Sequence, residues 1–189
     1  MKAHSQRFAW FSLSALLLVA PLSGATTLAR MSLGKMSQTA KAIVRARCLA
    51  NETGRDAGEI WTFTSFEIQE TWRGDVASHI VVRLLGGKLG AVTSTVSGVP
   101  RFRPGEEVVL FLEPTPRGDF SIVSWEQGTF RIRRDVLTNE EYVTQDTASL
   151  ETFDPATRQF STAGIHRMPL HLLREHVDAA LSSGDGRHP

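Results

Sequence analysis

The middle of this chain alternates apolar and polar residues with a period of two, which predicts strands rather than helices. Between residues 43 and 50, Val44, Ala46 and Cys48 fall on one face. Residues 60–72 form the longest candidate, but Trp61 and Phe63 have one parity whereas Phe66, Ile68 and Trp72 have the other. Side chains alternate strictly along a regular strand, so this switch predicts a bulge or bend near Thr64–Ser65. Ile80, Val82 and Leu84 share a face in the next strand, and 91–96 is a weaker one. The unbroken run Val108-Val109-Leu110-Phe111-Leu112 suits a strand covered on both faces. Segments 120–125 and 129–133 complete the set, with polar, Gly- and Pro-rich turn signals between the strands, 51–58 among them. Six or seven short strands at this spacing describe an all-β barrel or sandwich.

Two stretches carry a helical period instead. Leu28, Met31, Met36 and Ala40 recur every three to five residues, with Thr26 or Thr27 as cap and Gly34 as a weak point. Near the other end, Leu170, Leu173, Val177 and Leu181 follow Pro169 at helical spacing. The expected organisation is a helix over 26–41, a barrel over 42–135, an irregular polar extension over 136–168, a helix over 169–181 and a tail over 182–189.

Residues 1–25 read as a secretory signal peptide. Lys2 and Arg7 are basic, 8–20 are largely apolar, Pro21 breaks the run, and Ser23 and Ala25 place small residues before a cleavage point. The apolar run is shorter than the roughly 20 residues that a membrane-spanning helix needs. The expected product is therefore secreted or periplasmic, with no transmembrane segment after cleavage. Loss of Lys2 and Arg7 with the leader leaves 19 basic against 20 acidic side chains. That balance argues against a nucleic-acid binder, which carries a basic excess. Cys48 is the single cysteine, so no intramolecular disulfide forms, and its expected role is that of a small apolar core residue.

Candidate chemistry is sparse. The chain has no G-x-S-x-G elbow, no H-E-x-x-H helix and no phosphate-binding G-K-[ST], and the sequence implies no catalytic residue and no cofactor. His166, His171 and His176 are the weak metal alternative. The five-residue spacing of the last two turns them away from one helix face, where a metal pair needs three or four. Glu106 and Glu107 are adjacent, point to opposite faces, and read as solvated charges. The glycines at 86, 87 and 90 read as a turn. The binding candidates are Trp72, Arg73, Arg101, Arg103 and Trp125: aromatics that form either packing or a platform, and arginines that join Arg131, Arg133 and Arg134 in an anion patch if their strands are neighbours.

The order of these motifs resembles a known architecture. A strand at Ala42-Ile43-Val44, then Phe66 to Trp72 with Arg73-Gly74-Asp75, then Pro104-Gly105-Glu106 leading into 108–112, then Gln127-Gly128-Thr129-Phe130, resembles uncharacterised exported bacterial domains. It is also similar to the OB-fold barrels of the netrin-like and tissue-inhibitor-of-metalloproteinase type over residues 42 to 133. The resemblance implies a small OB-like barrel of five to seven strands with flanking N-terminal and C-terminal helices. It carries over no inhibitory residue, because those inhibitors chelate a protease metal through an N-terminal cysteine, and the expected mature terminus here is Thr26. The expectation is an exported, non-enzymatic binding module with a protein or envelope partner. Against it stand a secreted hydrolase using the dispersed histidines and an envelope assembly protein.

Overall fold

The computed structural model describes residues 28–147, 152–154, 158–161 and 164–185, so the proposed leader lies outside the described residues. In chain order the elements are β1 (Leu28–Ala29), α1 (Leu33–Thr39), β2 (Ala42–Asp56), β3 (Glu59–Arg73), β4 (His79–Leu85), β5 (Gly87–Leu89), β6 (Val92–Ser94) and β7 (Glu107–Pro114). They continue with β8 (Phe120–Ile122), β9 (Thr129–Arg134), β10 (Glu141–Gln145), β11 (Thr152–Asp154), β12 (Gln159–Ser161), β13 (Met168–Pro169) and α2 (Leu170–Asp185). The protein is mostly β, with one helix on the N-terminal side and one at the C-terminal end.

The main sheet runs β13-β10-β9-β7-β2-β3-β4-β8 and then turns back on itself, because β8 also pairs with β7. Strands β7, β2, β3, β4 and β8 therefore form a ring. Every pair in it is antiparallel except the closing contact of β4 with β8, made at Val82 and Phe120. A ring this small needs strands that bend. The register of β2 against β3 slips between Ile43/Val44, Arg45/Ala46 and Cys48/Ala50, which leaves Leu49, Gln69 and Trp72 as extra residues.

One of these slips puts a bulge beside Thr64–Ser65 as expected, but on the partner strand: the extra residue is Leu49 of β2, opposite Ser65 and Phe66, and β3 keeps its alternation. Ile60, Thr62, Thr64 and Phe66 all point inward, so parity is unbroken there. Trp61 and Phe63 simply face outward, where the Arg83 guanidinium lies over both rings at 4.6 and 5.5 Å. The parity change comes beyond Ile68, at the extra residue Gln69. The 51–56 segment, expected as a loop, continues β2. Its partner β3 supplies the hydrogen bonds that define a strand whatever the side chains, and the turn shrinks to Ala57–Gly58, both with positive φ as a tight hairpin requires.

Two cores lie on either side of this sheet. Inside the ring sit Val44, Ala46, Cys48, Phe66, Val82, Val108, Leu110 and Leu112, with Phe102 edge-on to Phe66 at 5.1 Å. Burial pushes the Cys48 thiol up to about 11, in keeping with its inert core place. Outside the ring, Ile43, Val109 and Phe111 pack under Met36 and Ala40 of the α1 region and Leu173 and Val177 of α2. Strand β7 thus has both faces covered, as its continuous apolar run predicts. Helix α1 is shorter than the expected 26–41 and starts after Ser32, whose hydroxyl accepts the Lys35 N–H. The 91–96 strand reduces to a separate β5–β6 hairpin, and the polar extension contributes β10 to the main sheet and β11–β12 to a small one.

Candidate functional site

The five binding candidates do not converge on one place. Trp125 is not on a strand: Ser124 and Trp125 both have positive φ, and 125–128 form a 3-10 turn that leaves Trp125 against the ring core. Arg73 turns toward α1, where it donates to the carbonyls of Ser37 and Gln38 at the helix's negative end. Arg103 is exposed on the loop before β7, and Arg101 lies at one end of the ring.

Of the expected arginines, Arg103, Arg133 and Arg134 line one depression together with Glu106, Glu107 and Glu141, whereas Arg101 lies at the ring end, and acids interleave the cluster. Arg45 of β2 donates to Glu107 at 2.8 Å and to Glu141 at 2.9 Å, while Arg47 donates to Glu107 and Arg134 to Glu141. Arg131 donates to Glu106 and Asp146. Glu106 and Glu107 are therefore members of a ladder across β9, β7 and β2, not the solvated pair expected of them. The arginine beside it holds the Glu107 carboxyl down to about 2, and that of Glu141 is lowered for the same reason. A ladder already neutralised across its strands is a weak anion receptor.

Trp72 stands at the edge of this ladder. As an extra residue of β3 it escapes the ring interior and packs against the outer core, beside the start of α2. Its indole N–H donates to Glu70 Oε2 at 3.0 Å. The same oxygen accepts from Arg174 of α2 at 2.8 Å, and the Arg174 guanidinium lies 5.6 Å from the Trp72 ring centroid. Tryptophan face, carboxylate and guanidinium form a closed clamp. It opens on a groove of about 380 Å3 that is also lined by Arg45, Glu140, Glu141 and Leu170. Its aromatic character alone made Trp72 a candidate; Arg174 lies 104 residues from Glu70, and no local pattern joins them.

The hairpin that supplies Glu140 and Glu141 ends in an apolar tip. Asp135 Oδ1 accepts the N–H groups of Leu137 and Thr138, and Arg167 donates to Asp135 at 2.7 Å and holds its carboxyl down to about 2. This bracing projects Val136 and Leu137 into solvent at 98% and 96% exposure. His171 lines the groove, whereas His166 and His176 are exposed elsewhere on the C-terminal segment. Among the described residues no three His, Cys, Asp or Glu side chains are grouped to hold a metal ion, and no helix is long and apolar enough to cross a membrane. No family model matches the chain, and no curated protein is significantly similar to it.

Proposed function

We propose that this chain is an exported, non-enzymatic binding module: an OB-like barrel of the netrin-like and tissue-inhibitor type that docks a protein partner through the Trp72 groove. Five strands closing with a single parallel pair support the barrel reading. The basic, apolar and small-residue order of 1–25 supports export. The inhibitory role of the resembling family is not part of the proposal.

One observation carries the binding reading. Arg174 occupies an aromatic–carboxylate clamp that accepts any basic side chain, and it does so half-exposed, with 49% and 43% of the Arg174 and Glu70 side chains in water. An ion pair that open to solvent contributes only about 0–1 kcal/mol, so a partner's arginine or lysine displaces it at small cost. The nearby apolar tip offers that partner a braced second contact. Binding is favoured over catalysis because the groove's carboxylates, Glu70 and Glu141, already face arginines, the arrangement of a charge-recognition surface.

The protein recovered from the exported fraction is expected to begin at Thr26 by N-terminal sequencing. Used as bait there, it is expected to retain a partner that Trp72→Ala retains at least tenfold less. A chain found in the cytoplasm with Met1 intact, or equal capture by both baits, would contradict the proposal.

A further inference from the structure

A second site, distant in kind from the Trp72 clamp, lies where the ring opens between β2, β3 and the β5–β6 hairpin. A pocket of about 330 Å3 there is lined by Leu84 and Phe102, which also belong to the ring core, and by Thr53, Lys88, Ser94 and Arg101. Arg101 is the informative member. Its Nη1 donates to Thr62 Oγ1 and to the Gly86 carbonyl, and its Nη2 donates to the Leu85 carbonyl, all at 3.2 Å.

No described carboxylate pairs with it. The contrast with the other held arginines decides the reading. Arg45, Arg83 and Arg131 each meet two acids, and Arg73 meets the carbonyl end of a helix. Arg101, like Arg73 and Arg55, is fixed by neutral groups without a carboxylate, but of these three it alone lines the pocket. Burial lowers its pKa, with no acid to offset it, yet a guanidinium stays protonated in a protein. Arg101 is exposed at the rim while three neutral acceptors fix its guanidinium, so its charge is presented to whatever enters the pocket. Thr62 Oγ1 donates to the Gly86 carbonyl at 2.7 Å while accepting from Arg101. Gly86, at φ +86°, leaves the space: a Cβ there would stand 2.8 Å from Arg101 Nη2 and 2.6 Å from the Ser94 carbonyl. Lys88 adds a second cation with no ion-pair partner among the described residues.

The geometry points to an oxyanion-binding site at the mouth of the ring, in which Arg101 and Lys88 take the phosphate or carboxylate of a small hydroxylated molecule. The anion supplies the charge that Arg101 lacks. Thr53 and Ser94, which also line the pocket, are hydroxyl residues suited to the remainder of such a ligand. The pocket exceeds the size of a bare ion and is at the small end of ordinary ligand sites, which run from roughly 300 to 1,000 Å3.

The test is a calorimetric titration of the mature chain with four probes: inorganic phosphate, glucose 6-phosphate, gluconate and glucose. At least one of the two hydroxylated anions is expected to bind at least tenfold more tightly than glucose, with affinity falling as salt rises. Which of the two is tighter identifies the oxyanion, and inorganic phosphate alone binds more weakly than glucose 6-phosphate. Arg101→Gln is expected to lose at least tenfold of that affinity and Lys88→Gln several-fold. Both residues are exposed enough for the variants to fold, which circular-dichroism melting checks. Arg117→Gln removes the same charge from an exposed ion pair elsewhere and is expected to bind as the wild type does. Failure of all three anions to bind at millimolar concentration overturns the proposal, as does retained binding by Arg101→Gln or an equal loss in Arg117→Gln.

Discussion

Phe111→Ala is expected to cost about 3–5 kcal/mol of folding stability, as large aromatic deletions in well-packed cores do. Phe111 is wholly buried and tilted against Phe130 at 5.4 Å, and it lies under both helices. Its strand, β7, is shared by the ring and by the outer sheet. The cavity therefore opens where the helices meet the sheet, and neither layer can close it alone. Leu137→Ala truncates an apolar side chain at a site 96% exposed, and is expected to change stability by less than about 0.5 kcal/mol. Urea unfolding of the two variants measures the difference. Similar losses in both would mean that the sheet is not packed under the helices as described.

Arg45→Ala is expected to cost about 1–3 kcal/mol near neutral pH, because it takes from Glu107 and Glu141 the partner they share and leaves them the more exposed Arg47 and Arg134. Arg45 is only 16% exposed. The pH dependence gives the mechanism. Arg45 lowers the Glu107 carboxyl to about 2, and burial opposes that shift without cancelling it. A carboxyl whose folded pKa is depressed contributes its stability above the unfolded value of about 4.3, and loses it as pH falls toward the folded value. Wild-type stability is therefore expected to decline between pH 5 and pH 2, and the gap between wild type and Arg45→Ala to close over that range. Denaturation midpoints at pH 7, 5 and 3 provide the check. A gap unchanged at pH 3 would remove the ladder from the account.

The strands were largely legible because burial on one face, or on both, writes itself into periodicity. Residues 43–48 alternate and 108–112 do not, and each pattern matches the number of faces covered. The β3 pattern misled for a physical reason: an outward aromatic sheltered by Arg83 has the same sequence signature as an inward one. The 51–56 arm was illegible because its strand character comes from backbone pairing to β3, which polar side chains permit. Trp125 depends on two positive-φ residues, neither of them glycine, and no local composition announces that. At the groove, Trp72 was visible as an aromatic near a turn. Its partner Arg174 and the acids that neutralise the arginine patch arrive from distant segments, and periodicity carries no long-range pairing. Arg101 and Arg103 were grouped with the β9 arginines by charge alone; what separates Arg101 is the company it lacks.

The clamp itself can be watched directly through the Trp72 indole N–H resonance of the 15N-labelled protein, titrated with arginine amide. In Arg174→Ala the clamp is vacated, so a saturable shift of that resonance is expected. Wild type should need at least tenfold more ligand for the same shift, because Arg174 competes. A Trp72 signal that never moves, or that moves equally in both proteins, would contradict the assignment of this groove as the binding site for a partner's basic side chain.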